Sequence, residues 1–200
     1  MPSVKNQAAS YLEFKTEFLK KSCGACPTPR QNIVFDRGNP EARILIIGEA
    51  PGAEEDKAGL CFVGRAGKML DKVMAAEGID TNRDTLIANV MKCRPPGNRI
   101  PLKGEVEKCL PALWRQMELV RPAILVLLGR TALQHVVPNT PDLPMEELVG
   151  KVQRFTHGGK EILYMVLYHP AYLLYDPRKR EAMARHVKAL KDFLVAEKLL

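Results

Sequence analysis

Four apolar runs, each giving way to a polar loop, constrain this chain more than any other feature. They read "RILIIGE" (43–49), "TLIANVMK" (85–92), "AILVLLG" (123–129) and "ILYMVLY" (162–168). Each has the length of a strand, and each is almost continuously apolar, as a strand buried on both faces must be. Helical spacing of apolar residues occupies 65–77, 104–119 and 130–137, and a last helix runs from about 178 to 198. An amphipathic helix at 7–21 precedes them, with Tyr11, Phe14 and Phe18 along one stripe. Strands alternating with helices call for parallel pairing through right-handed crossovers. The expected fold is α/β: one domain over residues 1–200, a three-layer α/β/α sandwich with a central four-stranded parallel sheet.

In such folds ligands gather beyond the carboxyl ends of the strands. Three polar loops follow those ends: "GEAPG", "KCRPPGNR" and "HPAYLL". The first opens the stretch "GEAPGAEEDKAGLCFVGRAG" (48–67). It lacks the Gly-Lys-Ser/Thr of a phosphate loop and the glycine spacing of a dinucleotide fold. It also carries Glu49, Glu54, Glu55 and Asp56, which would repel phosphate. Gly48 and Gly52 bracket Pro51 in a tight bend where main chain can approach a flat ligand. Glu49 or Glu55 would there position a water or stabilise a positive charge; the same acidity also suits a solvated loop. Asn89 places an amide among apolar strand residues, where it needs a partner. Nearby backbone is one candidate. A ligand edge offering both donor and acceptor, such as a pyrimidine, is the other. His169 precedes Pro170, which confines it to extended geometry at the loop mouth. A histidine so placed suits hydrogen bonding to a developing anion.

Lys and Arg number 30 against 23 Asp and Glu, a formal net charge of +7. That excess favours polyanionic partners, nucleic acid above all. The basic residues gather in "CRPPGNR" and "DPRKREAMARHVK", suggesting a basic rim around an acidic pocket. No apolar run reaches bilayer length, and "MPSVKNQAASYLEFKTEFLKK" lacks the apolar core of a secretory signal. The expectation is a soluble, cytoplasmic protein without membrane contact. Its cysteines are then poor candidates for a disulfide framework. Cys23 and Cys26 form C-x2-C, Cys93 and Cys109 stand apart, and Cys61 reads as a small apolar side chain. Paired zinc knuckles would supply a second close pair. One close pair with two distant thiolates also suits a [4Fe–4S] cluster. On spacing alone zinc, a cluster and buried thiols all stay open.

Together, "GEAPGAEEDKAGLCFVGRAG", "NVMKCRPPGNRIP", "LGRTAL" and "YHPAYLL", with the four cysteines, resemble family 4 uracil-DNA glycosylases, the iron–sulfur branch of their superfamily. The resemblance runs from about residue 20 to the C-terminal helix. It implies one [4Fe–4S] cluster on Cys23, Cys26, Cys93 and Cys109, with zinc as the alternative, tying the N-terminal segment to 93–109. It implies that the glycine-rich turn holds a flipped-out uracil, with Phe62 stacking, Asn89 reading the polar edge, and Ala50 and Asn98 nearby. His169 would stabilise the departing base, and Glu49 and Glu55 would assist the sugar cation or its attacking water. Tyr172, Leu173 and Leu174 would form a wedge, and Arg94, Arg99, Arg178, Lys179 and Arg180 would grip phosphates. The implied activity is monofunctional: a monomer acting on uracil-containing DNA, single- or double-stranded, releasing free uracil and leaving an abasic site. A DNA-damage-binding module without catalysis is the alternative, as is a covalently trapping relative. That relative reads "GEQPG", where this chain reads "GEAPG". Cys61 before Phe62 and Tyr175 after the paired leucines depart from the family's usual residues.

Overall fold

The structure, a computed structural model, describes residues 4–20, 32–140 and 142–200. In chain order the elements begin with α1 (Val4–Lys20), β1 (Arg37–Gly38), β2 (Ile44–Gly48), α2 (Ala53–Ala58), α3 (Arg65–Ala75) and β3 (Thr85–Asn89). They continue with α4 (Lys103–Val120), β4 (Ile124–Leu128), α5 (Gly129–Val136) and α6 (Met145–Leu148). The chain closes with β5 (Val152–His157), β6 (Lys160–Leu167) and α7 (Pro177–Ala196). Single 3-10 turns occupy Pro96–Asn98 and Pro170–Leu174.

The strands form one sheet in the order β1-β3-β2-β4-β6-β5. The four expected strands are its parallel centre, with β2 between β3 and β4, and β6 beyond β4. Two antiparallel edges were not foreseen: β1 on β3, and β5 on β6. The β5–β6 hairpin turns through Gly158 and Gly159, with φ of 56° and 73°. That conformation suits a two-residue turn between antiparallel strands and needs glycine. The sheet is therefore mixed, not purely parallel.

Strands β2, β3 and β4 are buried along their whole length, so helices cover both faces. Helix α1 packs on α4, and α3 packs on α7. The aromatic stripe of α1 is used as expected: Tyr11, Phe14 and Phe18 surround Phe35, with ring centroids 5.1–6.2 Å away. No helix among the described residues is long and apolar enough to cross a membrane.

The topology fixes where ligands gather. From β2 the chain crosses to β3 on one side, and from β4 it crosses to β6 on the other. The loops beyond these neighbouring strands diverge and open a crevice at their carboxyl ends. Gly48 and Asn89 stand opposite each other at the ends of β2 and β3. Pairing continues past them, with Val90 N–H and Met91 N–H donating to Gly48 and Glu49 carbonyls, each at 2.9 Å.

Candidate active site

The floor of the crevice is the backbone of Gly48. A Cβ there would lie 2.5 Å from both Asn89 Oδ1 and the Phe62 ring. Only a glycine lets those two side chains meet over the strand end. Phe62 is held in the left-handed region at φ 54° and is 6% exposed. The first turn of α3 backs it so closely that a Cβ on Gly67 would sit 1.8 Å from the Phe62 carbonyl oxygen. Its ring faces His169 at 5.9 Å between centroids, inclined by 42°. Two strand ends and two loops thus meet at one small chamber.

Asn89 is 1% exposed. Its Nδ2 donates to Cys61 Sγ at 3.7 Å, and its Oδ1 has no hydrogen-bond partner among the described residues. A buried acceptor left unpaired costs about 1–3 kcal/mol. It faces the chamber at Gly48, where a ligand N–H would satisfy it. Burial pushes the Cys61 thiol up to about 12, so it is the neutral partner of that amide.

His169 caps the turn Pro170–Leu174: its Nδ1 accepts from Ala171 N–H at 3.3 Å. With Nδ1 engaged as acceptor, the proton of the neutral ring resides on Nε2. Burial lowers the His169 pKa, against the opposing pull of the Glu49 and Glu55 charges. The ring is therefore a neutral donor. Glu49 is half-buried and its charge also acts on His135. Ala50, also half-buried, packs against the core.

Glu55 does something different. Its Oε2 accepts from Gly52 N–H at 3.1 Å and its Oε1 from Gly64 N–H at 2.7 Å. One carboxylate thereby clamps both glycine turns, the one after β2 and the one after Phe62. A glutamine would keep one acceptor and turn an N–H toward another. Glu55→Gln is expected to destabilise by about 1–3 kcal/mol, as for lost charged hydrogen bonds. Urea titration reads this directly, and an unchanged midpoint would remove the clamp from the account.

The remaining expected residues are more dispersed. Asn98 is exposed at φ 57°, and its Oδ1 accepts from Arg94 Nε at 2.7 Å. Arg99 forks onto Glu105 with distances of 2.7 and 2.8 Å. That guanidinium, with the Leu102 N–H, holds the Glu105 carboxyl down to about 2. Arg178 pairs with Asp176 at the start of α7, and Arg180 Nε donates to the Leu173 carbonyl at 2.7 Å. Tyr172 is 66% exposed and Leu174 half-buried, but Leu173 is wholly buried. The turn Pro170–Leu174 rotates its side chain into the core, which takes it out of the expected wedge. Tyr175, 80% exposed, stands on the same surface.

Beside His169 a cavity of about 370 Å³ is lined by Gly129, Arg130, Met145, Tyr168, Tyr172 and Lys179. Lys179 pairs with Glu146 there and lies over the Tyr168 ring at 4.6 Å. Arg130 had no part in the sequence expectations, although it follows the β4 end directly in "LGRTAL".

Cys93 and Cys109 are both buried, at 3% and 2% exposure. Both thiols act electrostatically on the Lys92 ammonium, so the fold brings them into one region. Cys23 and Cys26 lie outside the described residues. Among the described residues no group of three or more His, Cys, Asp or Glu is placed to hold a metal ion. Soft thiol donors on the loop after β3 and on α4 fit half of a four-cysteine set.

Comparison with known proteins shows the family of the chain. The profile of the Uracil DNA glycosylase superfamily fits residues 35–194. A type-4 uracil-DNA glycosylase from Archaeoglobus fulgidus is 44% identical over 176 residues, 86% of this chain and 87% of that protein. One from Sulfurisphaera tokodaii is 38% identical over 172 residues, 84% and 78% of the two chains. Another, from Thermotoga maritima, is 37% identical over 190 residues, 93% and 96%.

Proposed function

Because the chain belongs to the uracil DNA glycosylase superfamily, we propose that the chamber over Gly48 takes a uracil flipped out of DNA. The protein is a uracil-DNA glycosylase of DNA repair, a hydrolase of N-glycosyl bonds. The observation that carries the residue assignment is the buried, unpartnered Oδ1 of Asn89. Uracil N3–H is the donor it lacks, and the Phe62 ring offers the stacking wall.

As the C1′–N1 bond breaks, its electron pair leaves with uracil N1 and charge spreads onto the carbonyl oxygens. His169 Nε2–H donates to one of them and lowers the energy of the departing anion. The sugar left behind is cation-like. Glu49 stabilises that charge and takes the proton of the water that attacks C1′. The products are free uracil and an abasic site. No lysine amine forms a bond in this sequence, so the reaction is monofunctional. Glu55 serves the site by holding the two turns together.

Flipping costs a few kcal/mol, less for a weakened pair or a single strand. Tyr172 and Leu174 offset it as a wedge, with Tyr175 as an added stacking surface. Arg94, Lys179 and Arg178 hold phosphates, and Arg99 and Arg180 support the loops that carry them. Cys23, Cys26, Cys93 and Cys109 would hold a [4Fe–4S] cluster. Such a group supplies a cross-link between the N-terminal segment and the segment 93–109 within one domain. The acting unit is a monomer.

A single-uracil oligonucleotide incubated with the protein and then treated with alkali provides the test. Strand cleavage at uracil, absent with thymine in its place, is the expected result. Absence of cleavage by cluster-loaded protein would leave a fold without this activity.

A further inference from the structure

The most unusual side chain in the core belongs to Lys92, three residues after Asn89 and fully buried. Burying a cation costs several kcal/mol unless hydrogen bonds and opposite charge compensate. Here they do so over a long path. Lys92 Nζ donates to the Asn89 carbonyl at 2.9 Å and to Gln116 Oε1 on α4, and lies 5.5 Å from the Phe35 ring centroid. Gln116 Nε2 donates to Tyr11 Oη at 2.9 Å, which fixes the amide so that its oxygen faces the ammonium. Tyr11 donates to Asp36 at 2.6 Å, and Asp36 accepts from Lys15 at 2.6 Å. One unbroken chain of hydrogen bonds links α1, α4 and the last residue of β3.

The proposed glycosylase chemistry does not use this chain directly. An apolar side chain of equal length would pack in the same place without a desolvation cost. What the ammonium adds is a fixed donor on the backbone of Asn89, where β3 leaves the sheet. The geometry points to Lys92 as a positioning residue for base recognition: it anchors the Asn89 main chain to α4 and α1, setting the aim of the side chain that reads uracil. This inference rests on the reading of Asn89 given above.

Lys92→Met tests it, because methionine is close to lysine in length and leaves no uncompensated charge, Asp36 keeping its pairing with Lys15. With wild-type activity on the uracil oligonucleotide established, kcat/KM of Lys92→Met is expected to fall about 10- to 30-fold, the scale of one charged hydrogen bond. Inhibition by free uracil should weaken with it. Affinity for DNA carrying a tetrahydrofuran abasic analogue, which presents no base, should stay within about threefold, a change near the limit of additivity. In an Asn89→Ala background the Lys92→Met effect should shrink to less than about threefold, as expected when one residue acts through the other.

Equal losses in both backgrounds, or a parallel loss of abasic-site affinity, would overturn the proposal in favour of general damage. So would unaltered uracil inhibition. If Lys92→Met does not fold, Tyr11→Phe keeps the ring and releases Gln116. A rise in the uracil inhibition constant that disappears with Asn89→Ala supports the proposal; no rise overturns it. A wild-type protein inactive on uracil would instead remove the underlying reading, a distinguishable failure.

Discussion

His169→Ala should lower kcat by about 10²- to 10³-fold while uracil-DNA affinity changes little, as for removal of one preorganised donor to a developing anion. The donor is aimed before substrate arrives, because Nδ1 is already committed to the Ala171 N–H. Its proton state also fixes the pH dependence. Burial holds the folded-state pKa below the ordinary histidine value of about 6.5, despite the nearby Glu49 and Glu55 charges. The neutral ring persists into mildly acid solution, so the acid limb of kcat/KM governed by this group lies below pH of about 6.5. The same shift has a sign in stability. The unfolded chain binds the proton more readily, so this contribution is fully present above about pH 6.5 and declines as pH falls toward the folded pKa. A pH–rate series on wild type and His169→Ala checks both; an acid limb unaltered by the substitution would assign it elsewhere.

Gly48→Ala should abolish turnover, with an expected loss of at least about 10²-fold, because misplacement of about 1 Å at a reacting centre already costs that much. The added methyl would stand 2.5 Å from Asn89 Oδ1 and from the Phe62 ring, whose backbone is packed against Gly67 in the first turn of α3. One of the two must move, and either movement fills or reshapes the chamber. Overpacking of this kind destabilises by about 1–3 kcal/mol, so the protein should remain folded and the loss should appear in product formation. Circular dichroism with the alkali assay separates the two effects. Activity within threefold of wild type would place the base somewhere other than over Gly48.

The parallel centre of the sheet was legible because β2, β3 and β4 are buried on both faces, which demands unbroken apolar runs. Strand β5 lacked that signature. It is a half-exposed edge in "VQRFTH", and only the Gly158–Gly159 pair marks its turn. Asn89 stood out as an amide in an apolar run, and His169 as His-Pro at a strand end. Other features depend on contacts that local pattern does not carry. Leu173 looks like a surface wedge until the 3-10 turn rotates it inward. Lysine ordinarily signals an exposed face, and the partners that make Lys92 tolerable come from far away, with Tyr11 and Gln116 separated by 105 positions. Glu55 read as chemistry because its acidity was visible, while the two backbone amides it clamps were not.

The β5–β6 hairpin offers a practical handle. Its turn lies at the amino end of β6, while His169 follows the carboxyl end, and the eight residues between span roughly 26 Å at strand rise. Nothing within 4 Å would meet a side chain at Gly158 or Gly159, yet their positive φ makes direct substitution strained. Lengthening the turn avoids that strain. A fluorophore, affinity tag or surface tether inserted between the two glycines would project from the end of the molecule opposite the proposed catalytic loops, clear of the face proposed for DNA.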